Sequence, residues 1–229
     1  SILQWLGGIG IIVVAMVFLP ELRVGGMQIF KSEGFDTFGK ILPRATEIAA
    51  QVAWLYVGLT GACAVIYIAT GMRSFDAVLH AMTTIATGGF STYDSSFVKF
   101  GASTEYAAVV FMCLAALPFV RYVQLINGAP GSLFHDSQVR VFFIVLLVTV
   151  GFLTLVLWQG YQFSGELGFR KALFNVVSIT TGTGYASADY STWGPVALVV
   201  FFYAGLVGGC AGSTSCSVKV FRYQLLVSA

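Results

Sequence analysis

Charge is scarce in this sequence: Asp, Glu, Lys and Arg make up 10% of its 229 residues, against roughly 25% in an average soluble protein. Only two histidines occur, and the four cysteines lack the spacing of a zinc site or of a redox pair. No pair of catalytic carboxylates and no Ser–His pairing is visible, so the sequence does not favour an enzyme. A nucleic-acid partner is not expected either.

Apolar residues dominate the chain instead. They make up 57% of the residues, and the mean hydropathy is +0.85. Five apolar segments come close to the ~20 residues that a helix needs to cross the hydrocarbon core of a membrane: residues 2–19, 48–70, 106–126, 139–158 and 195–227. These segments predict an all-α membrane protein whose outer surface contacts the lipid bilayer.

The basic residues indicate how the chain is oriented. Eight of the twelve Lys and Arg residues fall in the segments 20–47 and 121–140 or after residue 217. Because cytoplasmic loops of membrane proteins carry the excess of basic residues, these segments are predicted to face the cytoplasm. Lys171 falls on the opposite side, where we expect a solvent-facing charge at the membrane interface.

Two further apolar segments, 75–86 and 169–180, are about three turns long and too short to cross a membrane. Each lies between longer segments and ends in a glycine-containing turn, which is the position of a re-entrant pore loop. A shift of 95 residues aligns the two turns without a gap and places Gly89 on Gly184. The sequence therefore predicts repeated units in the order membrane helix, pore helix, filter loop, membrane helix.

The two turns have the composition of a cation filter. A dehydrated potassium ion needs oxygen ligands, and backbone carbonyls supply them without a full charge that would trap the ion. Glycine permits the unusual backbone angles that such a strand needs. The predicted filter loops span residues 86–91 and 181–186, and the candidate ion-binding residues are Ala86, Thr87, Gly88, Gly89, Thr181, Gly182, Thr183 and Gly184.

Potassium is expected as the transported ion, with no organic cofactor. Its predicted contacts are Thr87, Gly88, Gly89, Thr183 and Gly184. Phe90 and Tyr185 directly follow the two turns, and we expect both rings to pack behind the filter and hold it open.

The last apolar segment is interrupted at residues 208–217 by small and polar residues with poor helix propensity. It therefore predicts a broken helix. Small residues let the backbone leave the helix, and the freed backbone groups are tolerated where they line a water-filled cavity.

Four stretches of the sequence together resemble one known family. They are Gln-Trp-Leu-Gly-Gly-Ile-Gly-Ile at 4–11, Thr-Ile-Ala-Thr-Gly-Gly-Phe-Ser-Thr at 84–92, Thr-Gly-Thr-Gly-Tyr-Ala-Ser-Ala-Asp-Tyr at 181–190 and Gly-Gly-Cys-Ala-Gly-Ser-Thr at 208–214. This set resembles the Trk/Ktr/HKT superfamily, and within it the TrkH/TrkG type of bacterial potassium-uptake membrane subunit. The resemblance implies four membrane–pore–membrane repeats around a pseudo-fourfold pore, and potassium uptake across the bacterial inner membrane. It also implies a homodimer and a cytoplasmic nucleotide-binding regulatory subunit.

By the same resemblance, Gly89 and Gly184 match the second and third of four signature glycines. The stretch 208–217 matches an intramembrane loop that lies under the filter and obstructs the permeation path. We therefore expect a gate formed by Gly208, Gly209, Cys210, Ala211, Gly212, Ser213, Thr214 and Ser215.

This sequence holds two filter segments, whereas the family pattern has four. We therefore interpret it as an internal portion of a longer chain, which further pore repeats complete. On this interpretation the parts are a last span of a first unit (1–19), a cytoplasmic connection (20–47), a complete unit (48–126), a second connection (127–138) and a unit that contains the broken helix (139–229).

A second hypothesis stays open at this point. Secondary transporters also contain broken helices, whose ends coordinate an ion at the middle of the membrane. The alternative function is therefore that of an ion-coupled secondary transporter with a midplane cation site. Among single residues, His80 is expected to be packed or solvated, and Arg121 either reaches the headgroups or takes part in gating.

Overall fold

A computed structural model gives the fold of residues 1–8, 10, 45–128, 131–160 and 165–228. Within these residues the chain is helical, and its one β-type pairing is an isolated bridge between Val207 and Val218. Residues 2–8 are helical. Most of the rest of the predicted span 2–19, and the predicted connection 20–47 up to residue 44, lie outside the described residues.

From residue 45 onward, the described residues form nine α-helices and one 3-10 helix. They are α1 (Ala45–Ala69), α2 (Ser74–Ile85), α3 (Ala102–Ala115), α4 (Phe119–Ile126), α5 (Gly131–Phe134), α6 (Ser137–Gln159), α7 (Gly165–Thr180), the 3-10 helix Tyr190–Trp193, α8 (Pro195–Leu206) and α9 (Val220–Ser228).

Two of these helices are long and apolar enough to cross a membrane by themselves. They are α1, over Ile48–Ala69, and α6, over Ser137–Gln159. Large apolar side chains stay exposed along α6, among them Leu147, Val148 and Leu155. A run of exposed aliphatic side chains on a helix of this length is what a lipid-facing surface requires.

The apolar segment 106–126, predicted as a single span, is bent in the structure. The segment forms two helices, α3 and α4, which meet at an angle of 88°. Pro118 lies between them, where it has no N–H to donate and disfavours helical backbone at the preceding Leu117. The break leaves the last carbonyl groups of α3 without helical partners, and another part of the chain uses them, as described below.

Each short helix packs on the long helix that precedes it. Helix α2 lies against α1, and α7 lies against α6. Helix α7 also packs against α3, which joins the two units to each other. The predicted start of the second short helix, residue 169, is late, because α7 begins at Gly165.

Arg121 lies in an ion pair between two elements. Its Nε is 2.8 Å from Oδ2 of Asp136, whose side chain is only 6% exposed. Asp136 also caps α6, since its side chain accepts a hydrogen bond from the backbone N–H of Gln138 at 2.9 Å. The side chain of Arg121 therefore ties α4 to the start of α6.

The interior between the two units is built around Phe97, which is fully buried. Its ring centroid lies 4.5 Å from that of Tyr185 and 5.1 Å from those of Phe100 and Phe174. These rings come from both units, so Phe97 packs at their junction.

We therefore expect Phe97→Ala to destabilise the protein by roughly 3–5 kcal/mol, because a large ring is removed from a packed interior. Thermal unfolding of the detergent-solubilised full-length protein measures this loss. Phe202→Ala is the matched control, because Phe202 on α8 is 65% exposed. An equal loss of stability in both variants would show that the buried ring of Phe97 stabilises the protein no more than an exposed ring does.

Candidate cation-filter site

The turns after α2 and α7 have the same backbone conformation. Thr87 and Gly182 have φ values of +49° and +73°, and Gly89 and Gly184 have +66° and +85°. The members of each pair are 95 residues apart in the sequence. In both turns, two residues with positive φ flank one residue with negative φ, and the pattern repeats at the predicted offset of 95 residues. Thr87 is the one member of the four that is not glycine, and its hydroxyl oxygen lies 2.8 Å from the Ala86 carbonyl oxygen.

The carbonyl groups of these turns are left unpaired. Among the described residues, no hydrogen-bond donor reaches the carbonyl oxygens of Thr87, Gly88, Gly89, Thr183 or Gly184. Thr87 and Thr183 are buried, whereas Gly88 and Gly89 are half-buried and Gly184 is exposed. Both loops therefore leave carbonyl oxygens at equivalent places free for a ligand or water.

The two loops lie side by side. A Cβ atom placed on Gly89 would lie 2.0 Å from the carbonyl oxygen of Thr183, so the two backbones touch where the unpaired carbonyls are. Beyond this point the segments pair, since the N–H of Phe97 donates to the Ala186 carbonyl at 2.9 Å and the N–H of Ala186 to the Ser96 hydroxyl at 3.1 Å.

Polar side chains on one face of each short helix hold the segment that follows the loop. They lie at positions i, i+4 and i+7, which share a helix face. We call this set the polar ladder, and its six members are Asp76, His80 and Thr83 on α2 and Lys171, Asn175 and Ser178 on α7.

The rung next to the filter is the same in both units. The Thr83 hydroxyl donates to the carbonyl oxygen of Phe90 at 2.9 Å. The Ser178 hydroxyl donates to the carbonyl oxygen of Tyr185 at 2.7 Å. Each carbonyl belongs to the residue directly after the unpaired stretch, so the ladder fixes where that stretch ends.

The middle rung uses different side chains for the same purpose. In the first unit, Nε2 of the buried His80 lies 2.9 Å from the hydroxyl oxygen of Ser91. In the second unit, the amide of Asn175 donates to the Ser187 hydroxyl at 3.1 Å and accepts from the Ser187 N–H at 3.2 Å. His80 is therefore a packed, hydrogen-bonded histidine.

The outer rung carries opposite charges in the two units. Asp76 accepts hydrogen bonds from the hydroxyls of Thr92 and Tyr93, both at 2.8 Å. At the equivalent place, the ammonium group of Lys171 donates to the carbonyl oxygen of Ser187 at 2.8 Å. The prediction that Lys171 is a solvent-facing charge is wrong, because its side chain is 12% exposed and paired with Glu105.

Tyr185 behaves as predicted and Phe90 does not. Tyr185 is buried, and its hydroxyl oxygen lies 2.5 Å from that of Thr83 and 3.1 Å from the His80 carbonyl oxygen. It thus packs behind the turn that it follows by reaching into the first unit. Phe90 is 68% exposed, because the described residues offer no corresponding helix on its side.

The loop 208–217 lies against both turns at the ends that follow the short helices. The hydroxyl of Thr87 donates to the Thr214 carbonyl at 2.7 Å, and the hydroxyl of Thr214 donates to the carbonyl of Ile85, the last residue of α2, at 2.8 Å. On the other side, a Cβ atom on Gly182 would lie 2.9 Å from Cβ of Cys216. The loop therefore touches both filter loops on the side where α2 and α7 end.

The break between α3 and α4 anchors this loop. The N–H of Cys210 donates to the carbonyl of Ala116 at 2.9 Å, and the Thr214 hydroxyl also reaches the carbonyl of Ala115 at 3.1 Å. In return, the N–H of Phe119 donates to the Gly212 carbonyl at 3.0 Å. The backbone groups that the bend frees and those that the broken helix frees satisfy one another.

Inside the loop, side chains supply the remaining partners. The Ser213 hydroxyl donates to the Cys210 carbonyl at 2.6 Å, and the Ser215 hydroxyl accepts from the Gly209 N–H at 2.8 Å. The N–H of Gly208 donates to the Val218 carbonyl at 2.8 Å and closes the loop at its base. The N–H of Ala211 donates to the side chain of Gln138 on α6 at 3.0 Å. The loop is thus a closed, internally bonded structure.

The N-terminal helical residues flank the first turn. A Cβ atom on Gly88 would lie 1.7 Å from Nε2 of Gln4, and one on Gly8 would lie 3.1 Å from Cβ of Ala86. Gly8 is thus a close packing site, and Gly88 is held against the amide of Gln4.

Sequence reasoning missed the polar ladder. Its signal is the polar side chains at i, i+4 and i+7 in both short helices, at the same offset of 95 residues. The rungs were not recognised because none of the three pairs is an identity. Asp76 and Lys171 even differ in the sign of their charge.

The fold and this site define a multi-pass helical membrane protein built from repeated pore-loop units. The chain belongs to the TrkH family, described as cation transport proteins, whose pattern matches residues 1–229. It is 44% identical over 228 residues to the Trk system potassium uptake protein TrkI of Halomonas elongata, covering 98% of this chain and 46% of that protein. It is 37% identical to the Trk system potassium uptake protein TrkH of Escherichia coli, covering 99% of this chain and 48% of that protein.

A solved structure has the same fold. The crystal structure of the potassium transporter TrkH from Vibrio parahaemolyticus superposes with a TM-score of 0.84 at 34% identity, covering 98% of this chain and 46% of that one. The chain thus spans about half the length of the relatives it matches. These findings confirm the predicted family, the all-α fold with repeated pore units and a broken helix, and a multi-pass location in the bacterial inner membrane.

We expect Gly89→Ala to destabilise the protein more than Gly71→Ala. Both positions have positive φ, so an alanine at either one costs about 1–2 kcal/mol. Only at Gly89 does the added methyl group also meet the Thr183 backbone, whereas Gly71 faces open space. Thermal unfolding of the two full-length variants makes the comparison, and equal losses would mean that the loops are not in contact.

Proposed function

We propose that this chain forms two walls of a potassium-selective path and that the whole protein takes up potassium through it. The observation that carries the proposal is the set of unpaired carbonyl oxygens in the two loops, which lie in contact at Gly89 and Thr183. The names of the relatives support the choice of ion, since the protein from Halomonas elongata is a potassium uptake protein.

The chemistry of such a path fits the loops. A potassium ion that gives up its water needs several oxygen ligands, and neutral carbonyl groups bind it without trapping it. Helices α2 and α7 end at Ile85 and Thr180, directly before the loops. The C-terminus of each helix contributes about half a negative charge near the ion. In this proposal the ion contacts the carbonyl groups of residues 86–89 and 181–184.

Two walls do not enclose a path, so we propose that further units of the same kind complete it. Tyr185 packs its ring against the short helix of the first unit. Phe90 holds the equivalent position, and its exposed ring suits the same contact with a preceding unit. The length of the relatives leaves room for such units. A homodimer and a cytoplasmic nucleotide-binding regulatory subunit complete the proposed assembly.

The loop 208–217 is the proposed gate. It touches Thr87 in one filter loop and Gly182 in the other, so it lies across the inner side of both. Its contacts are hydrogen bonds to carbonyl groups of the α3–α4 bend and of α2. Such contacts can be exchanged for water if the loop moves into a cavity.

The competing hypothesis is an ion-coupled secondary transporter with a midplane cation site. It shares the broken helix but places the ion between helix ends. The two repeated loops favour the filter, since a midplane site gives no reason for unpaired carbonyls at equivalent places in two units.

The proposed filter predicts that Gly89→Asp abolishes discrimination between potassium and sodium while ion flux continues, because a charged side chain then replaces the fixed carbonyl geometry. The measurement is the reversal potential of the full-length protein in a planar bilayer with potassium on one side and sodium on the other. Gly71→Asp is the control, because this glycine also has positive φ and lies away from both loops. Selectivity that survives Gly89→Asp would favour the secondary transporter.

The proposed gate predicts that Thr214→Val raises flux severalfold. Valine keeps the size of the side chain but removes the hydroxyl hydrogen bond to the Ile85 carbonyl, whereas the N–H of residue 214 still donates to the Ala115 carbonyl at 3.4 Å. The unpaired Ile85 carbonyl then favours an open, hydrated loop by about 1 kcal/mol, the net contribution of one hydrogen bond. Rubidium-86 uptake into proteoliposomes measures the change. Thr154→Val, which removes a hydrogen bond within α6, is the control. Equal flux in the two variants would exclude a gating role for this contact.

A further inference from the structure

The outer rung of the polar ladder contains a buried cation in the second unit. Nζ of Lys171 lies 2.6 Å from Oε1 of Glu105, and the side chain of Glu105 is only 1% exposed. The same carboxylate accepts a hydrogen bond from Arg170 at 2.8 Å through its other oxygen. Arg170 in turn lies 2.7 Å from Glu166. Two acidic and two basic side chains therefore form one connected cluster.

The cluster connects three parts of the site. Glu105 is on α3 of the first unit, and Lys171 is on α7, the short helix of the second unit. The third part is the segment after the second filter loop, where Lys171 donates to the Ser187 carbonyl at 2.8 Å. Arg170 shares the carboxylate but makes no hydrogen bond to that segment among the described residues.

We infer that Lys171 is a positioning residue for the second filter loop and that Glu105 holds it in place, an inference that rests on the proposed function. The Ser187 backbone is fixed from two directions, by Lys171 at its carbonyl and by Asn175 at its N–H. Ser187 lies three residues after Gly184, the last residue of the second loop with an unpaired carbonyl. A strand that is held there keeps its carbonyl groups at a set distance from the path.

Lys171 carries the opposite charge to Asp76 at the equivalent position, which explains why the second unit needs Glu105. Asp76 binds two neutral hydroxyl groups, and its negative charge is compatible with a cation path. A lysine at the same rung repels cations unless a carboxylate neutralises it. Glu105 lies in contact with it and supplies that charge from the neighbouring unit.

The test compares Lys171→Met with Arg170→Met in the full-length protein. Each variant removes one of the two cations that pair with Glu105, and the two side chains are equally buried, at 12% exposure. Only Lys171→Met also removes the hydrogen bond to the Ser187 carbonyl. We expect it to lower the potassium-to-sodium permeability ratio by about tenfold, as the loss of one charge-assisted hydrogen bond would. Arg170→Met is expected to keep the ratio of the wild type.

Bilayer reversal potentials give the ratio, and thermal unfolding of the same preparations reports stability separately. If the wild type discriminates between potassium and sodium but both variants show the same permeability ratio, the inference about Lys171 is overturned while the proposed filter stands. A wild type that does not discriminate overturns the proposed filter and this inference with it.

If Lys171→Met does not fold, Lys171→Arg is measured in its place. It keeps a positive charge for Glu105 but replaces the compact ammonium donor at Ser187 with a planar guanidinium. A lowered ratio at normal stability supports the inference, and a wild-type ratio overturns it.

Discussion

A loop inside a membrane protein that leaves its carbonyl oxygens unpaired needs another part of the chain to hold it in place. In this protein the short helices provide that support. Side chains at Thr83 and Ser178 bind the first carbonyl after each unpaired stretch, and the other rungs bind the residues that follow. The unpaired oxygens of Thr87, Gly88, Gly89, Thr183 and Gly184 thus lie in two short stretches that are in contact. The bend, the broken helix and the buried ion pair all support this arrangement.

Backbone groups also satisfy one another on the side of the two turns where α2 and α7 end. Pro118 breaks the apolar segment 106–126, and a run of small residues breaks the last apolar segment, so each break frees backbone groups from helical pairing. The two breaks lie together, and the groups of Ala115, Ala116 and Phe119 pair with those of the loop 208–217. Neither break would be tolerated alone in a lipid environment. Their pairing places a closed loop against both filter turns, which suits the proposed gate.

The features that depend on local sequence could be predicted. The offset of 95 residues located both turns, because positive φ recurs at Gly89 and Gly184. The predictions for Lys171 and Phe90 failed because the environment of each side chain depends on residues far away in the sequence. Lys171 was expected in solvent because its partner, Glu105, is 66 residues away. Phe90 was expected to pack like Tyr185, but the described residues supply no helix on its side. Pro118 is a local signal for the bend, but the predicted span rests on the apolar length of the segment alone. The polar ladder is hard to predict from the sequence because equivalent rungs share a position and a hydrogen-bonding role but differ in residue type.

The most direct measurement is diffraction from crystals of the full-length protein grown with thallium or rubidium, using anomalous scattering to locate the ions. A filter formed as described predicts anomalous peaks on one axis, within coordination distance of carbonyl oxygens from both 86–89 and 181–184. Peaks confined to the ends of the broken helix, with none between the two loops, would contradict it.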